Sequence, residues 1–275
     1  MLITVEENPI DYFTYLSVCQ GGQRDDEGKR KAETEQLEIY KGTFHDPQID
    51  WDALIVTSDL QGWVVENNQP VLLGESLPSF LRLFITLELQ QVDPLKTGVV
   101  LCGDLYAMHE KRGGLGDVRG VWREFSKQFK WVCGVAGNHD DFGDKQDFEA
   151  FKREEGIYFL NREVRKVDKK AIGGISGIIG PADKPNRVEE SEFLSILKKL
   201  LLQQPAILAL HQGPDYPQEQ LEGLSSIRET IEQSPPNLVF CGHCHWPKPL
   251  VVLKNGTQVL KADNRVVILQ NSRLG

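Results

Sequence analysis

Positive charge is in short supply in this sequence. Lys and Arg number 31 against 40 Asp and Glu, a formal net charge of -9, and no Lys/Arg block dominates any stretch. A general nucleic-acid binder neutralises phosphates with a basic face, so that class is disfavoured. An acidic chain still takes phosphate where metal ions supply positive charge locally. Long apolar runs are missing as well. The most apolar helical stretch, residues 80–89, is too short to span a bilayer and carries Arg82 and Glu88. Glu6 and Glu7 stand where a secretory signal wants basic residues ahead of an apolar run. Cysteines are few and odd in number: five, with Cys102, Cys133 and Cys241 inside apolar runs. They read as buried reduced thiols of a cytoplasmic protein, not as a disulfide framework.

What is there, 40% hydrophobic and 26% charged residues over 275 positions, suits one large globular domain or at most two small ones. Short apolar runs at 53–57, 98–102, 131–136, 171–179, 206–210 and 237–241 end in polar or glycine-rich turns. Continuous runs of that length predict strands buried on both faces. Helix-length patterns lie between them at 76–91, 117–129, 145–155, 189–203 and 217–233, the first with Ser76 as cap and Pro78 in its first turn. Asn255-Gly256 within 250–260 predicts a hairpin with a type I′ turn, and 265–270 makes a further strand. Strands alternating with helices indicate an α/β architecture. No internal repeat occurs. The charged segment 20–35 predicts a solvated loop. Its flanks, 12–19 and 37–43, leave two readings of residues 1–50, an extra hairpin or a flexible arm, ahead of a main domain at 51–275.

The chemistry-bearing residues follow the strands. Ser58-Asp59-Leu60-Gln61-Gly62 comes after the first, Gly103-Asp104 after the second, and Gly137-Asn138-His139-Asp140 after the third. His211 and then Gly242-His243-Cys244-His245 follow. Ligands of α/β sheets bind beyond the carboxyl ends of the strands, so five such ends converge on one site. Carboxylates, imidazoles and amide oxygens suit a borderline-to-hard divalent ion. In a strand, His243 and His245 would point to opposite faces; they share a site only if a loop holds them, and Gly242 permits that turn.

This order, D-x-Q, G-D, G-N-H-D, H and G-H-x-H, resembles the calcineurin-like metallophosphoesterases over Asp59 to His245, with Gln61 standing where most members carry His. The resemblance implies a four-layer α-β-β-α sandwich of two mixed sheets flanked by helices, and a pair of divalent ions. By position, Asp104 bridges them; Asp59, Gln61 and His245 complete one ion, and Asn138, His211 and His243 the other. His139 becomes the acid facing the leaving group, with Asp140 orienting its ring. Gln61 replaces nitrogen with oxygen, which favours Mn²⁺ or Mg²⁺ over Zn²⁺; Fe stays among the options. The same D-x-Q form occurs in the Mn-dependent ADP-ribose/CDP-alcohol diphosphatase branch, while the residues after Asp104 lack the D-R-G of Ser/Thr protein phosphatases. The implied activity is hydrolysis of a phosphodiester, phosphomonoester or nucleotide-type diphosphate by a metal-activated hydroxide. The partner is a small phosphorylated molecule and not a membrane. Lys111, Arg112 and Arg187 offer further positive charge near the phosphate.

Plainer readings stand beside these. Each motif alone is an ordinary turn; all five in order define a site. Cys241 and Cys244 form a C-x-x-C, but without a second pair the core-thiol reading is preferred. His45 and His109 read as loop residues, and Asp141 and Asp144 as solvated. The 113–116 glycine loop either cradles phosphate or is a turn. Gly173, Gly174 and Gly177 relieve packing, and the 180–187 loop roofs the site. A nuclease of the same superfamily and a non-catalytic scaffold of that fold remain as alternatives. The acidic charge weighs against the first, and the retained His and Asn side chains against the second.

Overall fold

The structure, a computed structural model, describes residues 1–19, 31–109 and 113–274. Most of the charged 20–35 segment, and Lys111 and Arg112, lie outside the described residues. Residues 32–35 are already strand. No helix among the described residues is long and apolar enough to cross a membrane.

Alternation along the strands builds the layers. In Ala53–Ser58, Ala53 and Ile55 enter one apolar cluster while Leu54 and Val56 enter another. Val99 and Leu101 against Val100 and Cys102 divide the same way. In Ile207–Gln212, Ile207 and Ala209 face the shared middle cluster, whereas Leu208 and Leu210 face a third. Each strand is therefore covered on both sides, as its unbroken apolar run requires. The middle cluster joins a ten-stranded and a six-stranded sheet. Helices α1 (Leu73–Glu88), α2 (Arg119–Gln128) and α3 (Lys145–Phe151) cover the outer face of the larger sheet. Helices α4 (Glu190–Leu201) and α5 (Ser225–Gln233) cover the smaller one. The four-layer sandwich implied by the resemblance is the fold observed.

Parallel pairing aligns the site. Ala53–Ser58, Thr97–Leu101 and Trp131–Gly134 run parallel in one sheet; Ile207–Gln212, Leu238–Gly242 and Gln258–Lys261 run parallel in the other. Their carboxyl ends therefore share an edge. At its far side the large sheet continues through Arg265–Asn271, which pairs antiparallel with Ala53–Ser58 and parallel with Ala32–His45. Asp11–Val18 completes an N-terminal hairpin with Ala32–His45.

Several local expectations are corrected. Helix α1 begins at Leu73, with no side-chain cap, and carries Pro78 in its interior. Leu73, Leu77, Leu81, Phe84 and Ile85 share the i, i+4 face that must be buried, and that face outweighs the cap signal at Ser76. The 217–233 pattern is a 3₁₀ turn, Pro217–Glu219, then a break at Gln220 (φ 56°) before α5. The 171–179 run splits at Gly177 (φ 80°) into Lys170–Ile175 and Ile178–Ile179. Asn255-Gly256 is not a type I′ turn: only Gly256 has positive φ, and Val252 pairs with Gln258 across a longer loop. A two-residue turn with both φ values positive occurs instead at Asn67 (49°) and Asn68 (62°), between Glu66 and Gln69.

Candidate metal centre

Three strands finish on a side chain whose backbone turns into the left-handed region: Asp59 (φ 56°), Asp104 (φ 55°) and His243 (φ 75°). Such conformations cost on the order of 1–3 kcal/mol each and survive where the surroundings fix them. Here the carboxylates supply the lock. Asp59 Oδ2 accepts from Ser58 Oγ at 2.6 Å and from the His243 N–H at 2.9 Å. Asp104 Oδ1 accepts from the His139 N–H at 2.9 Å. Close approach of the turns requires missing side chains: a Cβ on Gly137 would lie 2.0 Å from Asp104 Oδ1, and one on Gly242 2.2 Å from Asp59 Oδ2.

Three of the expected side chains converge. Ligand atoms of Asp104, His211 and His243 all lie within 4.8 Å of one another. Fully buried His211 spans the two sheets, with Nδ1 2.8 Å from the Cys102 carbonyl and Nε2 3.3 Å from Asp104 Oδ2. A carbonyl only accepts, so Nδ1 carries the proton and Nε2 keeps its lone pair when the ring is neutral. Gln61 Nε2 donates to Asp104 Oδ2 at 3.3 Å, and His139 Nε2 lies 3.9 Å from the same oxygen. His245 is turned outward: its side chain is 64% exposed and its Nδ1 contacts Asp263 Oδ2 at 3.1 Å.

Asp140 does not orient the His139 ring. Its two oxygens accept three backbone N–H groups, from Asp104 (2.9 Å), Leu105 (2.7 Å) and Gly137 (2.7 Å), which fixes both turns around Asp104. The His139 ring is held by Gly114 O, 2.6 Å from Nδ1. The 113–116 loop therefore positions an imidazole. Arg187 donates to Pro185 O, and the 180–187 loop is tied to the edge by Asn186 Nδ2 donating to Asp140 O at 2.7 Å. Cys241 is buried and Cys244 half-buried, both free thiols. His45 contacts Ser272 Oγ and His109 packs edge-on against Trp63.

The electrostatics call for cations. Burial pushes Asp59 up to about 7; His211 opposes this, while Asp263 and Asp104 add to it. Burial alone would raise Asp104, but His211, by charge and contact, and then His139 hold it down at about 2. Burial alone would lower His211, but Asp104 and then Asp59 hold it up at about 10. Burial and the neighbouring His211 push His243 down to about 4. Asp59 resists ionisation and His211 retains a proton beside the ionised Asp104, which is what clustered ligands do when a proton stands in for a metal.

The donor set fits divalent ions. Asn138 Oδ1 is buried without a hydrogen-bond partner, and His211 Nε2 is buried with only the Asp104 carboxylate beside it, at 3.3 Å, although such groups are costly to leave unpaired. Both belong to the expected ligand set. Ligand atoms about 2.0–2.2 Å from one ion lie roughly 3–4.4 Å apart, close to the observed spread.

Sequence reasoning missed Asp263 and Asn264. They follow Gln258–Lys261, a sixth parallel strand end on the same edge, and the strand-end signal that located the others applied to them too. It also missed Tyr15 and Trp63, which line a cavity of about 420 Å³ beside Asp59, His243 and His245.

The fold and this edge define a metallophosphoesterase-type hydrolase scaffold. The chain belongs to the calcineurin-like phosphoesterase family, whose model matches residues 53–247. Among solved structures it is similar to TT1561 of Thermus thermophilus, with a TM-score of 0.54 and 16% identity over 78% of this chain and 90% of that one. A hypothetical protein from Thermus thermophilus aligns over 76% of this chain and 75% of its own, at 15% identity and a TM-score of 0.44. AQ665 of Aquifex aeolicus, a protein of unknown function, aligns over 78% and 95%, at 15% identity and a TM-score of 0.34. At these identities the first likeness shows the fold alone. No curated protein matches the chain in sequence.

Proposed function

We propose that this protein is a dinuclear, Mn²⁺-preferring phosphoesterase of the cytoplasm that hydrolyses a small phosphodiester, phosphomonoester or nucleotide-type diphosphate. The observation that carries the reading is the convergence of Asp104, His211 and His243 from three separate strand ends. Asp104 Oδ2 lies 3.3 Å from both His211 Nε2 and Gln61 Nε2, so it would serve the ligand groups of both ions. His211, His243 and Asn138 would hold one; Asp59, Gln61 and His245 would hold the other. The ions supply Lewis acidity and an activated water.

The chain's own residues supply the rest. Asp140 keeps the Asp104 turn in place through its three backbone contacts. Gly114 O takes the Nδ1–H of His139, leaving Nε2 to hydrogen-bond or protonate the departing oxygen. Asp263 steadies His245 through Nδ1, the carboxylate–histidine pairing that fixes ring orientation at metal sites. The aromatic and polar cavity alongside suits a small substrate. Free, mostly buried thiols fit a reducing compartment.

The test is a screen of purified protein with Mn²⁺ against mono-, di- and pyrophosphate esters, with Asp104→Asn as control. Turnover of at least one class, lost in the control, is expected. No turnover of any class, or equal turnover in the control, would overturn the assignment.

A further inference from the structure

The N-terminal hairpin reaches past the sheet it belongs to. Arg265, the first residue of the last strand, pairs with Ser58 on one side and Glu38 on the other. Ser58 ends its strand at the metal edge, so residues 32–37 and their partners continue beyond that edge, roughly 20 Å at about 3.3 Å per residue. The composition of the overhang changes where it leaves the core. Phe13 and Leu37 pair on the face packed against the main apolar cluster; two residues on, the same face carries Tyr15 opposite Glu35, then Ser17. Tyr15, Ser17 and Glu35 line the 420 Å³ cavity shared with Asp59, His243 and His245.

This wall is fastened to the metal edge. The Tyr15 hydroxyl donates to Asn264 Oδ1 at 2.8 Å, and the Asn264 N–H donates to Ser58 O at 3.1 Å, one residue before Asp59. Tyr15, Ser17, Glu35, Asp263 and Asn264 all lie outside the matched span 53–247. One wall of the cavity beside the ligands is thus built by parts of the chain that the family pattern does not describe, while the rest, including Gln61, Trp63 and Tyr106, lies within the matched span.

We propose that the hairpin, with Asp263 and Asn264, forms a subsite for a hydroxyl-rich, sugar- or polyol-type leaving group of the phosphorylated substrate. This rests on the hydrolase reading above. Glu35 offers a carboxylate acceptor, and Asp263 the oxygen that does not hold His245. With its oxygen taken by Tyr15, Asn264 has its amide N–H groups to donate, and Ser17 does both. Vicinal hydroxyls satisfy such a set, and Trp63 adds an apolar part to the same lining. A second phosphate would meet two carboxylates and be repelled. An unsubstituted aryl or alkyl group would leave them unpaired.

The experiment compares glycerol- and glucose-bearing phosphate esters with ethyl and phenyl counterparts. It uses the full-length protein loaded with Mn²⁺, its Glu35→Gln variant and its Ser17→Ala variant. Turnover is measured, and calorimetric binding of the same compounds provides a second arm. The wild type should favour the polyol compounds by about tenfold or more in kcat/KM and in binding. That preference should fall toward unity in Glu35→Gln and weaken in Ser17→Ala. Turnover without a polyol preference, a preference unchanged in both variants, or a preference for amine-bearing esters added to the panel would overturn the subsite. Absence of all turnover would defeat the hydrolase reading alone, and the binding arm would then decide the subsite on the same ratio.

Discussion

His211 Nε2 lies 3.3 Å from Asp104 Oδ2, and the opposite nitrogen of the same ring lies 2.8 Å from the Cys102 carbonyl. One imidazole thus joins the two sheets and turns Nε2, protonated in the metal-free protein, toward the central carboxylate. Replacing it with alanine removes a proposed ligand and leaves Asp104 facing a void. We expect metal affinity to fall on the order of 100-fold or more, at least as much as the loss of an outer-sphere partner costs. Metal titration of His211→Ala checks this, and undiminished affinity would remove His211 from the ligand set.

Metal uptake should release protons. With His211 held up at about 10 by Asp104, the ring is protonated at pH 8 in the metal-free protein and must be neutral to ligate. Calorimetric titrations with Mn²⁺ at pH 8, in buffers of different ionisation enthalpy, should differ by about one proton or more per protein.

The metal-free protein should lose stability as pH rises from about 7 to 10. A group whose pKa is raised on folding stabilises fully below its unfolded value and ceases to as pH passes its folded value. That describes His211, raised to about 10, and the upper end of Asp59, raised to about 7. His243, lowered to about 4, and Asp104, lowered to about 2, act the other way but finish below pH 6.5. Thermal melts with chelator should fall across this window, and saturating Mn²⁺ should flatten the trend.

Two adjacent residues should fail differently. Asp140→Ala strands three buried backbone N–H groups and should destabilise the metal-free fold by about 3 kcal/mol or more, read by urea unfolding. His139→Ala touches a partly exposed ring. It should leave unfolding and metal binding near wild type while lowering turnover about 10²–10⁴-fold.

Gln61→His should move metal preference. An amide at this position favours Mn²⁺ over Zn²⁺, and an imidazole reverses that bias. The ratio of Mn²⁺- to Zn²⁺-supported turnover should fall in the variant. A wild type already better with Zn²⁺ would count against Gln61 as an oxygen ligand.

The strands bearing the site were legible because burial on both faces demands unbroken apolar runs, such as 53–57 and 237–241, and because each ends in a ligand-type residue. The direction of each side chain was not. Asp140 sits beside His139 in sequence but turns to three backbone amides, and His139 finds its partner in Gly114. Pairing over long separations was hidden too: Ala32–His45 lies against Arg265–Asn271, more than two hundred positions away, and neither segment carries a local mark of the other. The turn at Asn255-Gly256 misled because the dipeptide suits more than one loop length, whereas Asn67-Asn68 formed the tight turn without a glycine.

The central claim is that side chains from separate strand ends hold divalent cations. Anomalous diffraction from a crystal grown in Mn²⁺ tests it most directly. The expected result is a peak bounded by Asp104, Asn138, His211 and His243, with a second bounded by Asp104, Asp59, Gln61 and His245. A map with no peak touching Asp104, from protein that is folded and saturated with manganese, would contradict it.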